Sequence, residues 1–132
     1  MNEQEMNSLT ERVIACAIQV HKELGPGLLE STYASCLRYE LLNRGIQVRR
    51  NVPVTILYRG VRLEEGYWID LLVEEVLVLE LKSVEKLHPV HAAQLLSYLR
   101  LSGLQLGLLI NFNVSLLTHG IKRIINGWLA KE

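Results

Sequence analysis

The sequence predicts an α/β fold, a sheet of about four to five strands flanked by helices, and three observations carry that prediction. Apolar residues recur at helical spacing from Leu9 to about Leu41. The period then changes to two between Ile46 and Tyr58. Beyond that, the run Val76 to Leu81 (VLVLEL) is apolar on both faces, as the central strand of a sheet requires.

Taken in order, Ser8-Leu-Thr-Glu11 has the spacing of a capping box, so the first helix is expected to start there. Leu9, Val13, Cys16, Val20 and Leu24 form its apolar stripe, and Gly25-Pro26-Gly27 ends it. A second helix is expected from Leu28 to Arg44, burying Tyr33, Leu37 and Leu41, with Gly45 as its left-handed terminator. Val48, Val52, Val54, Ile56 and Tyr58 alternate with mostly polar neighbours, so Ile46 to Tyr58 reads as one strand with a wet face. Pro53 places it at an edge. Arg59-Gly60 is a hairpin turn into a second strand, Val61 to Leu72, and Glu74-Glu75 lie in the turn to the third, Val76 to Leu81. His88-Pro89 opens a third helix that Ser102-Gly103 closes. Leu104 to Ile110 is a fourth strand, and Ile121 to Ile125 a further edge strand before a tail carrying Trp128.

No linker-like stretch interrupts the 132 residues, so one domain spanning residues 1–132 is expected. A chain of this length buries about two thirds of its unfolded surface, and needs no disulfide or structural metal to do so. With 14 basic and 14 acidic residues the formal net charge is zero. Attraction of a polyanion by overall charge is thereby excluded, and any nucleic-acid surface has to be local. Arg44, Arg49, Arg50, Arg59 and Arg62 gather near the end of the second helix and the first hairpin, where they read as a solvated charged face with some capacity for phosphate. Cys16 and Cys36 fall on apolar helical faces without metal-ligand spacing, the pattern of buried thiols in a reducing cytoplasm. The N-terminus is unlike a signal peptide, and no apolar run approaches the ~20 residues of a membrane helix, so a cytoplasmic protein with no membrane partner is expected.

The chemistry concentrates where charges interrupt apolar strands. Alternation puts Val76, Val78, Glu80 and Lys82 on one face of the third strand and Leu77, Leu79 and Leu81 on the other. Burying an unpaired charge costs several kcal/mol, so Glu80 and Lys82 must be paired, partly exposed at the strand's end, or engaged with an ion. Asp70 interrupts Trp68-Ile69-Asp70-Leu71-Leu72 in the same way. If residues Glu74 to Val76 form the loop, Val73 faces Leu77 and Asp70 lies opposite Glu80 on the same face. With only Glu74-Glu75 in the loop, Asp70 would face Leu79 and point to the other side. Two carboxylates about 4 Å apart repel by roughly 4 kcal/mol at an effective dielectric near 20, and a divalent cation reverses that sign. Mg²⁺ or Mn²⁺ suits one or two carboxylates, water and a phosphate, and Lys82 is placed to orient a water or balance phosphate charge. Glu30 shares a helical face with Tyr33, Ala34, Leu37 and Leu41, where it is either a ligand or a favourable charge at a helix start. Gln94 and Tyr98 lie one turn apart on a face with His91 and Leu95. His88 and His91 read as helix-start polar residues, and His21 as structural.

In order, Glu30, Asp70, Glu80-Leu81-Lys82 and Gln94-Leu-Leu-Ser-Tyr98 resemble the active-site pattern of the PD-(D/E)XK nuclease superfamily, the QxxxY element being similar to its RecB-like branch. Gly27-Leu28-Leu29-Glu30-Ser31-Thr32-Tyr33 resembles the signature of the small bacterial GxxExxY proteins within it. The resemblance implies a restriction-endonuclease-like core with a mixed sheet: helix, three-stranded antiparallel meander, helix and a further strand. It implies that Asp70, Glu80 and the Leu81 carbonyl ligate Mg²⁺ or Mn²⁺, that Lys82 serves the attacking water, and that Glu30 contacts the metal through water or supports the site. Gln94 and Tyr98 would position the site or the strand. The lead-in to Asp70, Gly66-Tyr67-Trp68-Ile69, lacks the proline of the pattern, so only the aspartate carries over. The expected activity is phosphodiester hydrolysis in DNA, with RNA second. The rival is a binding or assembly module that keeps the fold and acts through a nucleic-acid or protein partner; a homodimer would supply surface that so small a chain lacks.

Overall fold

Helix formation begins earlier than the Ser8 box predicts. In the computed structural model, which describes residues 1–127, α1 spans Glu3–Leu24. Asn2 caps it: the Glu5 amide donates to Asn2 Oδ1 (2.8 Å) and the Asn2 amide to Glu5 Oε1 (3.1 Å). Asn2-x-x-Glu5 and Ser8-x-x-Glu11 share one spacing, and the upstream box prevails because the added turns bring Met6 into the core. Leu9, Val13, Cys16 and Val20 are buried as expected, whereas Leu24 is exposed at the helix end. Of the two cysteines, both free, Cys16 is buried and Cys36 only half-buried. Burial pushes the Cys16 thiol above its ordinary value, which keeps it protonated. The second helix, α2 (Glu30–Asn43), starts two residues later than predicted. At its end the amides of Gly45 (φ 74°) and Ile46 bond back to Leu42 and Leu41, the double closure that a left-handed glycine permits.

The strands are β1 (Val48–Pro53), β2 (Ile56–Tyr58), β3 (Val61–Leu63), β4 (Trp68–Val73), β5 (Leu77–Lys82), β6 (Leu106–Asn111) and β7 (Ile121–Ile125). Helix α3 (Pro89–Ser102) joins β5 to β6, and a short helical turn, Leu117–Gly120, precedes β7. A five-stranded mixed sheet runs β1-β4-β5-β6-β7, with β5 and β6 parallel and the other neighbours antiparallel. β5 is central, and Pro53 lies on an edge strand, both as predicted. The two long strands expected before β5 are each broken in two. Val54 turns inward, buried at 2 % exposure with its amide on the Tyr67 carbonyl (2.9 Å), and the chain leaves the sheet as the separate β2–β3 hairpin. Arg59 (φ 52°) and Gly60 (φ 81°) form its turn. The alternation of apolar residues runs unbroken through Val54, so the period carries no trace of the break.

Helices α1 and α2 cover one face of the sheet, where Val13, Val20, Leu37 and Leu41 meet Leu71, Leu79, Leu81 and Leu108. Helix α3 covers the other, with Leu95, Tyr98 and Leu99 against Leu72, Val78 and Leu109. The α3 contact is close: a Cβ on Gly107 of β6 would stand 3.0 Å from Leu95 Cδ1. His21 is structural, its Nε2 lying 2.8 Å from the Val114 carbonyl and tying α1 to the exit of β6. Among the described residues no helix is long and apolar enough to cross a membrane. Trp128 lies outside those residues.

Candidate active site

The turn between β4 and β5 decides whether the two strand carboxylates meet. Glu74 (φ 51°) and Glu75 (φ 58°) are both left-handed, as in the mirror-image turns that join antiparallel strands, and the Val76 amide closes the turn on the Val73 carbonyl (3.0 Å). Val76 is then an extra residue, so that Leu77, not Val76, pairs with Val73. Two glutamates tolerate this backbone because each is tied to the start of β1. Glu74 Oε2 accepts the Gln47 amide (2.6 Å), and Glu75 takes both ends of the Arg49 guanidinium (2.7 and 2.8 Å).

Pairing continues through Leu72–Val78 to Leu71–Leu79, one step short of Asp70 and Glu80. The ladder stops there. Instead of a strand carbonyl, Asp70 Oδ2 accepts the Leu81 amide (2.8 Å). Glu80 is buried at 5 % exposure, and its Oε1 has no hydrogen-bond partner among the described residues. Burial, and then the neighbouring Asp70 charge, push the Glu80 carboxyl up to about 8. Burial likewise raises Asp70, opposed by the Leu81 amide and the Lys82 charge. The Asp70–Glu80 pair therefore retains a proton near neutrality. No three His, Cys, Asp or Glu side chains are gathered as a ready metal cage among the described residues. The two carboxylates, one of them with an orphaned oxygen, and the Leu81 carbonyl that follows Glu80 are nonetheless hard oxygen donors, the set that suits Mg²⁺ or Mn²⁺ completed by water.

Asp70, Glu80, Lys82, Gln94 and Tyr98 all line one open cleft of about 690 Å³. β4 and β5 supply the first three, and α3 brings Gln94 and Tyr98 over them from the covering layer. Burial, with the charge of Glu80, pushes the Tyr98 phenol up to about 12, so it keeps its proton. Asn51, Tyr67 and Trp68 line the same cleft and carried no signal of it in the sequence. Asn51 occupies an unremarkable polar position in an edge strand, and Trp68 registers there only as part of the lead-in to Asp70.

Glu30 lines an adjoining pocket with Arg50, Asn51 and Asp70. Its Oε2 accepts the Ser83 amide (3.0 Å), while Ser83 Oγ donates to the Leu28 carbonyl (2.6 Å). The glutamate thus clamps the segment that leaves Lys82. The rest of its motif holds the clamp in place. Gly27 adopts φ 98°, and the Tyr33 hydroxyl donates to the Gly25 carbonyl (2.6 Å) and accepts the Leu28 amide (3.1 Å), its ring stacked 4.3 Å from Phe112. Asn111 secures the far side, accepting the Val84 amide (3.1 Å) and donating to the Val84 carbonyl (2.9 Å). His91 Nδ1 accepts the His88 amide (3.1 Å), the helix-start role expected of that pair. Burial and the nearby Lys82 and His88 charges hold His91 below its ordinary value. Of the five clustered arginines, Arg50 lines the pocket next to the site, bonded to Ser35 Oγ (2.7 Å) and the Ser31 carbonyl (3.1 Å). Arg49 is spent on Glu75, and Arg44 stands 3.8 Å from Glu40.

A mixed sheet between helices, opened at its centre where two acids and a lysine emerge, defines a nuclease-type α/β fold. The family model of the PD-(D/E)XK nuclease superfamily matches residues 7–124, and the chain belongs to that superfamily, with its restriction-endonuclease-like core. The match is at superfamily level, and the GxxExxY likeness rests on the Gly27–Tyr33 residues alone. No curated protein and no solved structure matches the chain.

Proposed function

We propose that this protein is a divalent-metal-dependent nuclease that hydrolyses phosphodiester bonds in DNA, with RNA the second candidate. The observation that carries the reading is a buried Glu80 oxygen with no partner among the described residues, beside the Asp70 carboxylate where the β4–β5 pairing ends. Such a pair is unfavourable in isolation and becomes favourable with a cation. Asp70, Glu80 and the Leu81 carbonyl would hold Mg²⁺ or Mn²⁺. Bound there, the ion would polarise a phosphate oxygen and acidify a water.

The remaining side chains orient the reaction. Lys82 lines the cleft, where its ammonium would orient the attacking water and balance charge building on the phosphate. Tyr98, a phenol throughout the physiological range, donates a hydrogen bond, and Gln94 offers both a donor and an acceptor to position the strand. Glu30 fixes the Ser83 amide, and with it the direction in which Lys82 leaves β5.

The test is cleavage of single-stranded DNA, duplex DNA and RNA with Mg²⁺ or Mn²⁺, in wild type and in Asp70→Asn and Lys82→Ala. Metal-dependent cleavage is expected, abolished by chelation and reduced on the order of 10²-fold or more in either variant, by analogy with loss of one stabilising group. If folded wild type cleaves none of these substrates, catalysis is refuted and a non-catalytic module acting through a partner takes its place.

A further inference from the structure

We infer that Trp68 and Tyr67 form a stacking platform for unpaired nucleobases, so that the cleft takes a single strand in preference to an intact duplex. The inference rests on the nuclease reading of the same cleft and adds its substrate class.

Large aromatic rings are usually well buried, yet Trp68 is 50 % exposed and Tyr67 44 %, and both line the cleft. Trp68 precedes Asp70 by two residues in β4, and both line the same cleft. The Tyr67 ring lies 6.1 Å from that of Tyr98, tilted by 53°, which extends the aromatic wall towards Glu80. Stacking on such rings requires a free base face and contributes roughly 5- to 150-fold in affinity per base. In a duplex both faces are covered by neighbours unless the base is flipped out.

Charge points the same way. Among the described residues Lys82 is the one cationic side chain lining the cleft, Arg50 in the adjoining pocket is bonded to Ser35 and Ser31, and the formal net charge is zero. Duplex binding draws most of its strength from many phosphate contacts, and the described residues lining the cleft offer one cation for them. Stacking must supply what charge does not.

Fluorescence tests this directly, because Trp68 is the only tryptophan left in a Trp128→Phe background. Oligo-dT and oligo-rU of roughly 12 nucleotides, within the usual footprint of such sites, are titrated beside a blunt hairpin duplex of equal length. Both single strands, or oligo-dT alone if the strand is DNA, should quench Trp68 and bind at least about 10-fold more tightly than the duplex. Their salt dependence should be shallow, a log–log slope of roughly −0.7 to −1.4 for one or two phosphate contacts. Measured by anisotropy of end-labelled oligonucleotides, because these variants lose the reporter, Trp68→Ala should lose about 5- to 150-fold in single-strand affinity, while Trp68→Phe, which keeps a ring and guards against misfolding of the alanine variant, retains most of it. Equal binding of duplex and single strand, or no binding of any probe, overturns the platform. Metal-dependent duplex cleavage unchanged in Trp68→Ala overturns it too while leaving the nuclease reading standing. Quenching by single strands without cleavage does the reverse.

Discussion

Burying a carboxyl beside a second one raises its affinity for a proton, and at Glu80 the rise carries it from 4.5 to about 8. The consequence for stability has a definite sign. Between those two values the folded protein holds a proton that the unfolded chain has released, so without metal its stability falls as pH rises through this window and levels off above about 8. At ~1.36 kcal/mol per unit the loss has an upper bound of about 5 kcal/mol. Glu80→Gln cannot ionise, so urea denaturation in the presence of chelator should find it more stable than wild type near about pH 9 and similar near about pH 5. A wild-type midpoint that is flat over that range would contradict the coupling. At this scale the three charged residues of the strands were legible because a charge among valines and leucines has few inexpensive explanations. Ser83 and Asn51 were not, because a polar residue in a loop or edge strand requires no explanation. The Tyr33 hydroxyl was hidden for another reason: an apolar stripe accounts for the ring without any role for its oxygen.

Among elements, α3 has a narrow tolerance, because it carries Gln94 and Tyr98 while pressing Leu95 onto Gly107. A Cβ at Gly107 would stand 3.0 to 3.2 Å from three atoms of a fully buried leucine, so either Leu95 or the helix must move. Gly107→Ala should cost about 1–3 kcal/mol in denaturation, the usual range for overpacking, and should lower cleavage beyond what the lost stability explains. Adding Leu95→Val should recover part of both; a double variant no better than Gly107→Ala would show that the contact is not the cause. Element types and order followed from the sequence because period and glycine placement are local signals. The failures are the complementary cases. A duplicated capping-box spacing left the start of α1 ambiguous until Met6 found the core, and the exit of the β2–β3 hairpin at Val54 preserved the alternation that would have betrayed it.

At the scale of the whole molecule, the loop before α2, the β4–β5 pair and α3 converge on one margin of the sheet, so a ligand bound there bridges both helical layers. A cation that binds only the folded state should stabilise all of them together, by about 2.7 kcal/mol at 100 times its dissociation constant. Thermal unfolding with and without Mg²⁺ or Mn²⁺ measures this, and the shift should vanish in Glu80→Gln. An equal shift in that variant would place the ion elsewhere. Overall charge gave no hint of such a site, since a balanced composition averages away whatever one buried and one half-buried acid do locally.

The extra residue at Val76 imposes a rule of parity. Asp70 and Glu80 are an even number of positions apart, so they face each other only if the connection between their strands takes up an odd number of residues. A slip of β4 by one step against β5 would leave the amino-acid content and the fold class intact, yet would part the two carboxylates across the sheet. In a related chain, the separation of the two acids and the length of the turn therefore have to be read together: where they disagree in parity, every residue of the constellation can be present and the site absent.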